Sequence, residues 1–287
     1  MESWLLAHSS SLYEVTMVVA FIAIAVWETL FPRYKPVIPT SKRWLTNAVL
    51  VVVGWVSTWL LFPAGALSIA VSVAGSRYGF LNREGLPLVW RYVFAFLLLD
   101  LAQYFQHYLL HRVPLLWRLH RLHHADAEYD LTTGVRFHPL ESFYTRGITL
   151  LVIAVLAPPI AAVVFFELVN AVQNFFGHAN ASMPAGLDRL LRLVQVTPEF
   201  HRVHHSVDVS DQNTNFGSVF TFWDRLFGTL RNEPRMGEER LRFGIEQVRG
   251  EESIRILHML ALPFRHEPAP TPITESAVPQ AVRGTVR

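Results

Sequence analysis

Two copies of one five-residue pattern stand about eighty residues apart: His120-Arg121-Leu122-His123-His124 and His201-Arg202-Val203-His204-His205. A further pair, His107 and His111, precedes the first copy, so three short stretches hold eight of the chain's 13 histidines. A fold that uses them together must bring residue 201 back to residue 120. That requirement governs how the apolar chain between them has to run.

On a helix, residues four apart share a face, so His107 and His111 can point at one ion. In the five-residue pattern the first histidine shares a face with the fourth and fifth positions, and those two diverge by about 100° at 3.6 residues per turn. One triplet can therefore hand ligands to two neighbouring ions. Two triplets and a pair, with His138 and His178 as candidate additions, offer more nitrogens than one ion can use. Imidazole suits zinc, copper, iron and nickel alike, so ligand type leaves the metal open. His8, His258 and His266 stand alone and read as ordinary hydrogen-bonded residues.

Composition supplies the setting. With 51% hydrophobic and 17% charged residues and a positive mean hydropathy, the chain reads as a membrane protein. A net charge of +2 argues against a nucleic-acid partner. Cysteine is absent, which removes disulfides, zinc–cysteine sites and thiolate-ligated haem. The opening MESWLLAHSSSLYE lacks the charged start and small-residue cleavage site of a signal peptide, so the first apolar run is expected to be a retained span.

Leu12 to Phe31, Trp44 to Val73 and Leu88 to Leu110 read as three spans, each near the roughly 20 residues that cross a bilayer. The basic loop of Arg33, Lys35, Lys42 and Arg43, and the segment Arg112 to Arg146, put both loops on the cytoplasmic side and the N-terminus outside. Gly147 to Gly177 is apolar but divided by Pro158 and Pro159. A single kinked span would strand His178 and residues 201–205 on the far side. A hairpin turning at the proline pair returns them, and its first arm of about eleven residues would reach only some 16 Å, part-way into the bilayer. The expected fold is an all-α integral membrane protein: three spanning helices, a proline-split membrane hairpin and a cytosolic histidine-rich helical cap from His178 to about Arg265. The chain reads as one domain over 1–265, with a Pro-rich, disordered tail over 266–287.

Two ions at a membrane face suggest a substrate with a long hydrocarbon part, and dioxygen activation at di-iron would explain such a constellation. HYLLH, HRLHH and HRVHH, with RFHPLE (136–141), GHAN (177–180), NTNFG (213–217) and WDRLFGT (223–229), resemble the fatty acid hydroxylase/sterol desaturase superfamily over about residues 90–235. The resemblance implies a non-haem di-iron membrane oxygenase that hydroxylates or desaturates a lipid, with a largely helical fold. It carries metal ligation onto His107, His111, His120, His123, His124, His201, His204 and His205, and onto His178. Some relatives have a histidine where this chain has Asn174, so the site has one ligand fewer or His138 or water takes the place.

Glu141, Asn215 and Asp224 are expected to accept from imidazole N–H groups, and Asn174 to support the site from nearby. Phe216, Phe220, Phe222, Trp223 and Phe227 read as core packing or as the lining of a lipid entrance. The cofactor is expected to be two iron ions, with zinc as a substitute; the partners are a lipid, dioxygen, the bilayer and a separate electron donor of ferredoxin or cytochrome/reductase type. A bacterial inner membrane is the expected location. The competing readings are a membrane zinc hydrolase, disfavoured by the absence of HExxH, and a metal-binding or transport protein, disfavoured because the histidines lie at helix ends rather than at a midplane.

Overall fold

The computed structural model describes residues 2–63, 65–74, 79–82 and 85–265; the tail 266–287, expected to be disordered, lies outside the described residues. The fold is helical, with only isolated β-bridges among these residues. In chain order the helices are α1 (Glu2–Leu30), α2 (Thr40–Leu61), α3 (Ala66–Val73), α4 (Leu88–Arg112), α5 (Pro114–His124), α6 (Pro139–Leu156), α7 (Ile160–Gly177), α8 (Ala185–Leu191), α9 (Pro198–His204), α10 (Val209–Gln212), α11 (Phe222–Leu226) and α12 (Ile256–Ala261).

Five of the described stretches are long and apolar enough to cross a membrane: α1, α2 running on through α3, α4, α6 and α7. Only 11% of the apolar window of α1 and 12% of that of α2–α3 are buried within the protein, so lipid must cover the rest of this surface. The chain is an integral membrane protein.

The proline-split hairpin is present and its cause is local. Helix α6 ends at Ala157, which takes a left-handed conformation with φ 44°, and Pro158 and Pro159 follow. A left-handed residue closes a helix, and a proline beyond it cannot continue one. The first arm is nevertheless 18 residues long, because its helix begins at Pro139, inside the segment read from sequence as a loop. Each 18-residue arm extends about 27 Å, close to the full hydrocarbon core. Helices α3 and α4 pack against both arms and hold them apart. Gly79 lies against the turn: a Cβ there would come within 2.1 Å of the Ala157 methyl.

The hairpin gathers the C-terminal ends of α1, α4 and α7 with the N-terminal ends of α2 and α6 at one end of the bundle. Buried ion pairs lock that end. Arg43, in the first turn of α2, donates to Asp126 through Nε (3.1 Å) and Nη2 (2.7 Å) and to Asp130 through Nη1 (2.5 Å). Arg33, just after α1, pairs with Glu199 and Glu238 of the cap.

Candidate metal centre

Helix α4 delivers His107 and His111 from its last two turns, and α5 delivers His120, His123 and His124. Pro114 opens α5 at a position where its missing N–H is not needed. His178 caps the C-terminal end of α7. Helix α9 carries the second triplet; Pro198 starts it and the Thr197 hydroxyl caps it by accepting from Phe200 N (3.3 Å).

The nine imidazoles form two groups. His107, His111, His120, His124 and His204 make one, His123, His178, His201 and His205 the other, and within each group one nitrogen per ring lies within 4.8 Å of all the others. The two triplets split in complementary fashion: the first gives two histidines to the five-membered group and one to the four-membered, the second the reverse. The divergence of adjacent helical positions by about 100° produces this division. The groups abut, with the His124 and His205 rings stacked at 4.5 Å.

Hydrogen bonds fix which nitrogen of several rings carries the proton. Nδ1–H of His107 donates to Phe216 O (3.1 Å), that of His204 to Thr214 O (2.7 Å), that of His178 to Asn174 O (2.8 Å) and that of His120 to Glu141 Oε1 (2.5 Å). Each ring then presents a bare Nε2 lone pair to its group. For His107, His120 and His204 that Nε2 is buried with no hydrogen-bond partner, as are Nε2 of His111 and His205 and both nitrogens of His124. In the other group, Nε2 of His178 has Nε2 of His201 at 3.1 Å and Nε2 of His123 at 3.3 Å. Lone pairs converging in this way without donors fit a shared cation, and an imidazole set suits zinc, copper, iron or nickel.

Electrostatics agree. Burial first, and neighbouring imidazoles second, hold His123, His124, His201 and His205 well below the usual histidine range. Burial lowers His178 to about 4 and His204 to about 3. These six rings are therefore neutral at pH 7, the form that ligates.

His138 stands apart from both groups. Its Nδ1 accepts from Leu140 N (3.1 Å), capping α6, and its Nε2 donates to Leu260 O (3.2 Å), so both nitrogens are engaged elsewhere. Glu141 Oε1 meets an imidazole, that of His120. Asn215 and Asp224 do not: Asn215 donates to Phe200 O (2.9 Å) and Arg231 O (2.8 Å), while Asp224 accepts from Phe216 N and Gly217 N (both 2.8 Å). Asp224 thus orients the peptide whose carbonyl holds His107. The Asn174 side chain donates to Gly134 O (2.5 Å), and it is the Asn174 backbone carbonyl that reaches His178. Sequence reasoning missed these carbonyls because any residue type can supply one; the NTNFG run, which holds Thr214 and Phe216, was the only pointer.

Other buried groups clamp the elements that carry the ligands. Arg136 donates to Leu122 O (3.1 Å), Asn47 Oδ1 (3.0 Å) and Ser253 O (2.6 Å), and Arg202 to Ala179 O and Ala181 O (both 2.7 Å). The Phe216 ring walls the five-membered group, 5.7 Å from His107, 5.2 Å from His111 and 5.7 Å from His204 between centroids.

Residues 92–229, which contain all nine histidines of the two groups, match the fatty acid hydroxylase family. The chain is 29% identical to an ornithine lipid hydroxylase, OlsE, of Rhizobium tropici over 178 residues, 62% of this chain and 51% of that protein. It is 32% identical to human alkylglycerol monooxygenase over 144 residues, 50% of this chain and 31% of the relative. Human cholesterol 25-hydroxylase is 28% identical over 149 residues, 52% of this chain and 54% of the relative. The chain thus spans about half or less of the length of these relatives. No solved structure matches.

Proposed function

The chain belongs to the fatty acid hydroxylase/sterol desaturase superfamily, and on that footing we propose that it is a membrane di-iron oxygenase that hydroxylates a lipid. The observation that carries the reading is the pair of abutting imidazole groups, whose bare nitrogens are buried at the membrane end of the bundle. Hydroxylation is favoured over desaturation by the relatives, whose names include an ornithine lipid hydroxylase, a monooxygenase of alkylglycerols and a cholesterol hydroxylase.

The residues divide the work. His107, His111, His120, His124 and His204 would hold one iron, and His123, His178, His201 and His205 the other; the bound pair would supply dioxygen activation. Glu141 and the carbonyls of Phe216, Thr214 and Asn174 keep the Nδ1 protons away from the ions and fix the rings in place. Phe216 excludes water from one side. The overall balance is one lipid C–H bond, one dioxygen, two electrons and two protons, giving one C–OH and one water. The two electrons would come from a redox donor of ferredoxin or cytochrome/reductase type. By the positive-inside bias the centre faces the cytoplasm and the N-terminus lies outside, in a bacterial inner membrane.

The test is isotopic. Iron-loaded protein in vesicles, given an electron donor, a bacterial lipid extract and ¹⁸O-labelled dioxygen, should yield a lipid one labelled oxygen heavier. Oxygen arriving from labelled water, or turnover without dioxygen, would overturn the reading in favour of a hydrolase.

A further inference from the structure

The cap reads from sequence as cytosolic, yet part of it is hydrogen-bonded to the spanning helices far from their ends. Asp100 on α4 is fully buried and accepts from Val219 N (3.0 Å), Phe220 N (3.3 Å) and Trp223 Nε1 (2.8 Å). Helix α4 has 25 residues, about 37 Å, so with one end at the opposite boundary of a roughly 30 Å core it overshoots by about 7 Å. Asp100 lies about 18 Å from the Arg112 end by helix rise, hence about 11 Å inside the hydrocarbon boundary. The Phe220 ring reaches further, to Phe96 (5.7 Å). Helix α7 gives an independent measure: Ser218 Oγ donates to Asn170 Oδ1 (2.8 Å), about 10 Å before the helix ends at Gly177.

The surface beside this segment is apolar. Leu187 and Leu190 of α8, Leu193 and Val194 after it, and Leu226 and Phe227 at the end of α11 are all exposed, Leu190 at 65% and Leu226 at 67%. The backbone there is satisfied as a lipid environment demands. Val196 N donates to Val219 O and Thr221 N to Val194 O, while the Arg225 guanidinium caps the carbonyls of Arg192 and Leu193.

We propose that the face formed by α8 and α11 is immersed in the lipid leaflet on the metal-centre side, so that α8, residues 193–194 and α11 with Phe227 are membrane-embedded parts of the cap. The occupant of this face is bilayer lipid. Its edge also touches the centre: Phe227 stacks on Tyr104 (5.2 Å), Tyr104 packs on Phe216 (6.3 Å), and Phe216 packs on the histidines.

The chain has no cysteine, so single-cysteine variants L190C and L226C can carry a nitroxide spin label in the full-length protein in phosphatidylcholine/phosphatidylglycerol nanodiscs. V52C on the lipid-facing side of α2 and E239C on the exposed cap serve as references. Collision of the label with dioxygen against a water-soluble nickel chelate reads depth. Labels at 190 and 226 should favour dioxygen, as at 52. Either label favouring the nickel chelate, as at 239, would overturn the proposal. Protection from both reagents would overturn it too, because a protein contact would then cover the face.

Discussion

His120 donates its Nδ1 proton to Glu141 across 2.5 Å, with both side chains cut off from solvent. The bond joins α5 to the third residue of α6, so the hairpin's first arm sets the angle of a metal-facing ring. Partners of this kind are worth about 10–100-fold in metal affinity or activity. E141A should lose that much turnover and part of its metal; E141Q, which keeps an acceptor oxygen, should lose less. Equal metal content and turnover in E141A and the parent protein would remove Glu141 from the centre.

The division of the triplets makes a stoichiometric prediction. H204A removes a ligand from the five-membered group and H178A from the four-membered one. Each variant should lose about one of the two ions expected of a dinuclear site, measured by elemental analysis of protein reconstituted in the same lipid. Loss of both ions together in each variant would point to a single cooperative site, and loss of neither would refute the grouping.

Gly134 tests the closeness of packing around His178. A Cβ at this position would fall 2.8 Å from His178 Nδ1 and 2.9 Å from Asn174 O, and neither the capped ring nor the helix backbone has room to retreat. G134A should reduce turnover by roughly tenfold or more, as the loss of a supporting contact does. Its metal loss should match that of H178A rather than H204A.

Acid should weaken the metal-free protein. Folding lowers the pKa values of the buried cap histidines, His178 to about 4 and His204 to about 3, while the unfolded chain protonates them near 6.5. The stability tied to their neutrality is full above about 6.5 and is lost as pH falls from there toward the folded values. The thermal midpoint of chelator-treated protein should therefore drop between pH 7 and pH 5. A variant with His178 and His204 replaced by Phe should show a shallower drop.

Asp100 carries a stability prediction. Removing its carboxylate leaves two backbone N–H groups and an indole N–H without acceptors in a low-dielectric setting, each costing roughly 1–3 kcal/mol. D100A should unfold at markedly lower temperature in detergent, and D100N should fall between it and the parent. An unchanged midpoint in D100A would show that water replaces the acceptor.

The clustering of the histidines was legible because helical spacing alone groups imidazoles on faces, and because one metal centre would demand that residues 178–205 return to residue 120. The hairpin followed from that demand and from Pro158–Pro159. Its length did not: Pro139 starts α6 among polar and charged residues such as Glu141 and Arg146, which hydropathy assigns to a loop, and only tertiary contacts show them to be helical. Charge counting met the same limit. Arg43, Arg121, Arg136 and Arg202 look like free cations in sequence, but they are buried against carboxylates or carbonyls, and long-range pairings of this kind have no local signature. Asn215 and Asp224 read from sequence as acceptors for imidazoles, whereas the carbonyls that meet His107, His204 and His178 are those of Phe216, Thr214 and Asn174.

The left-handed turn at Ala157 also sets a schedule for biogenesis. Residues 107–124 leave the ribosome first, but each imidazole group draws on both sides of the turn: His204 completes the first, and His123 joins three histidines that emerge later in the second. On the proposed two-ion reading, neither ion would meet its full ligand set until α6 and α7 have both entered the bilayer and residue 205 has come back. Metallation is then the closing step of assembly, and a chain stalled before the hairpin closes exposes a half-site of imidazoles open to whatever metal is at hand.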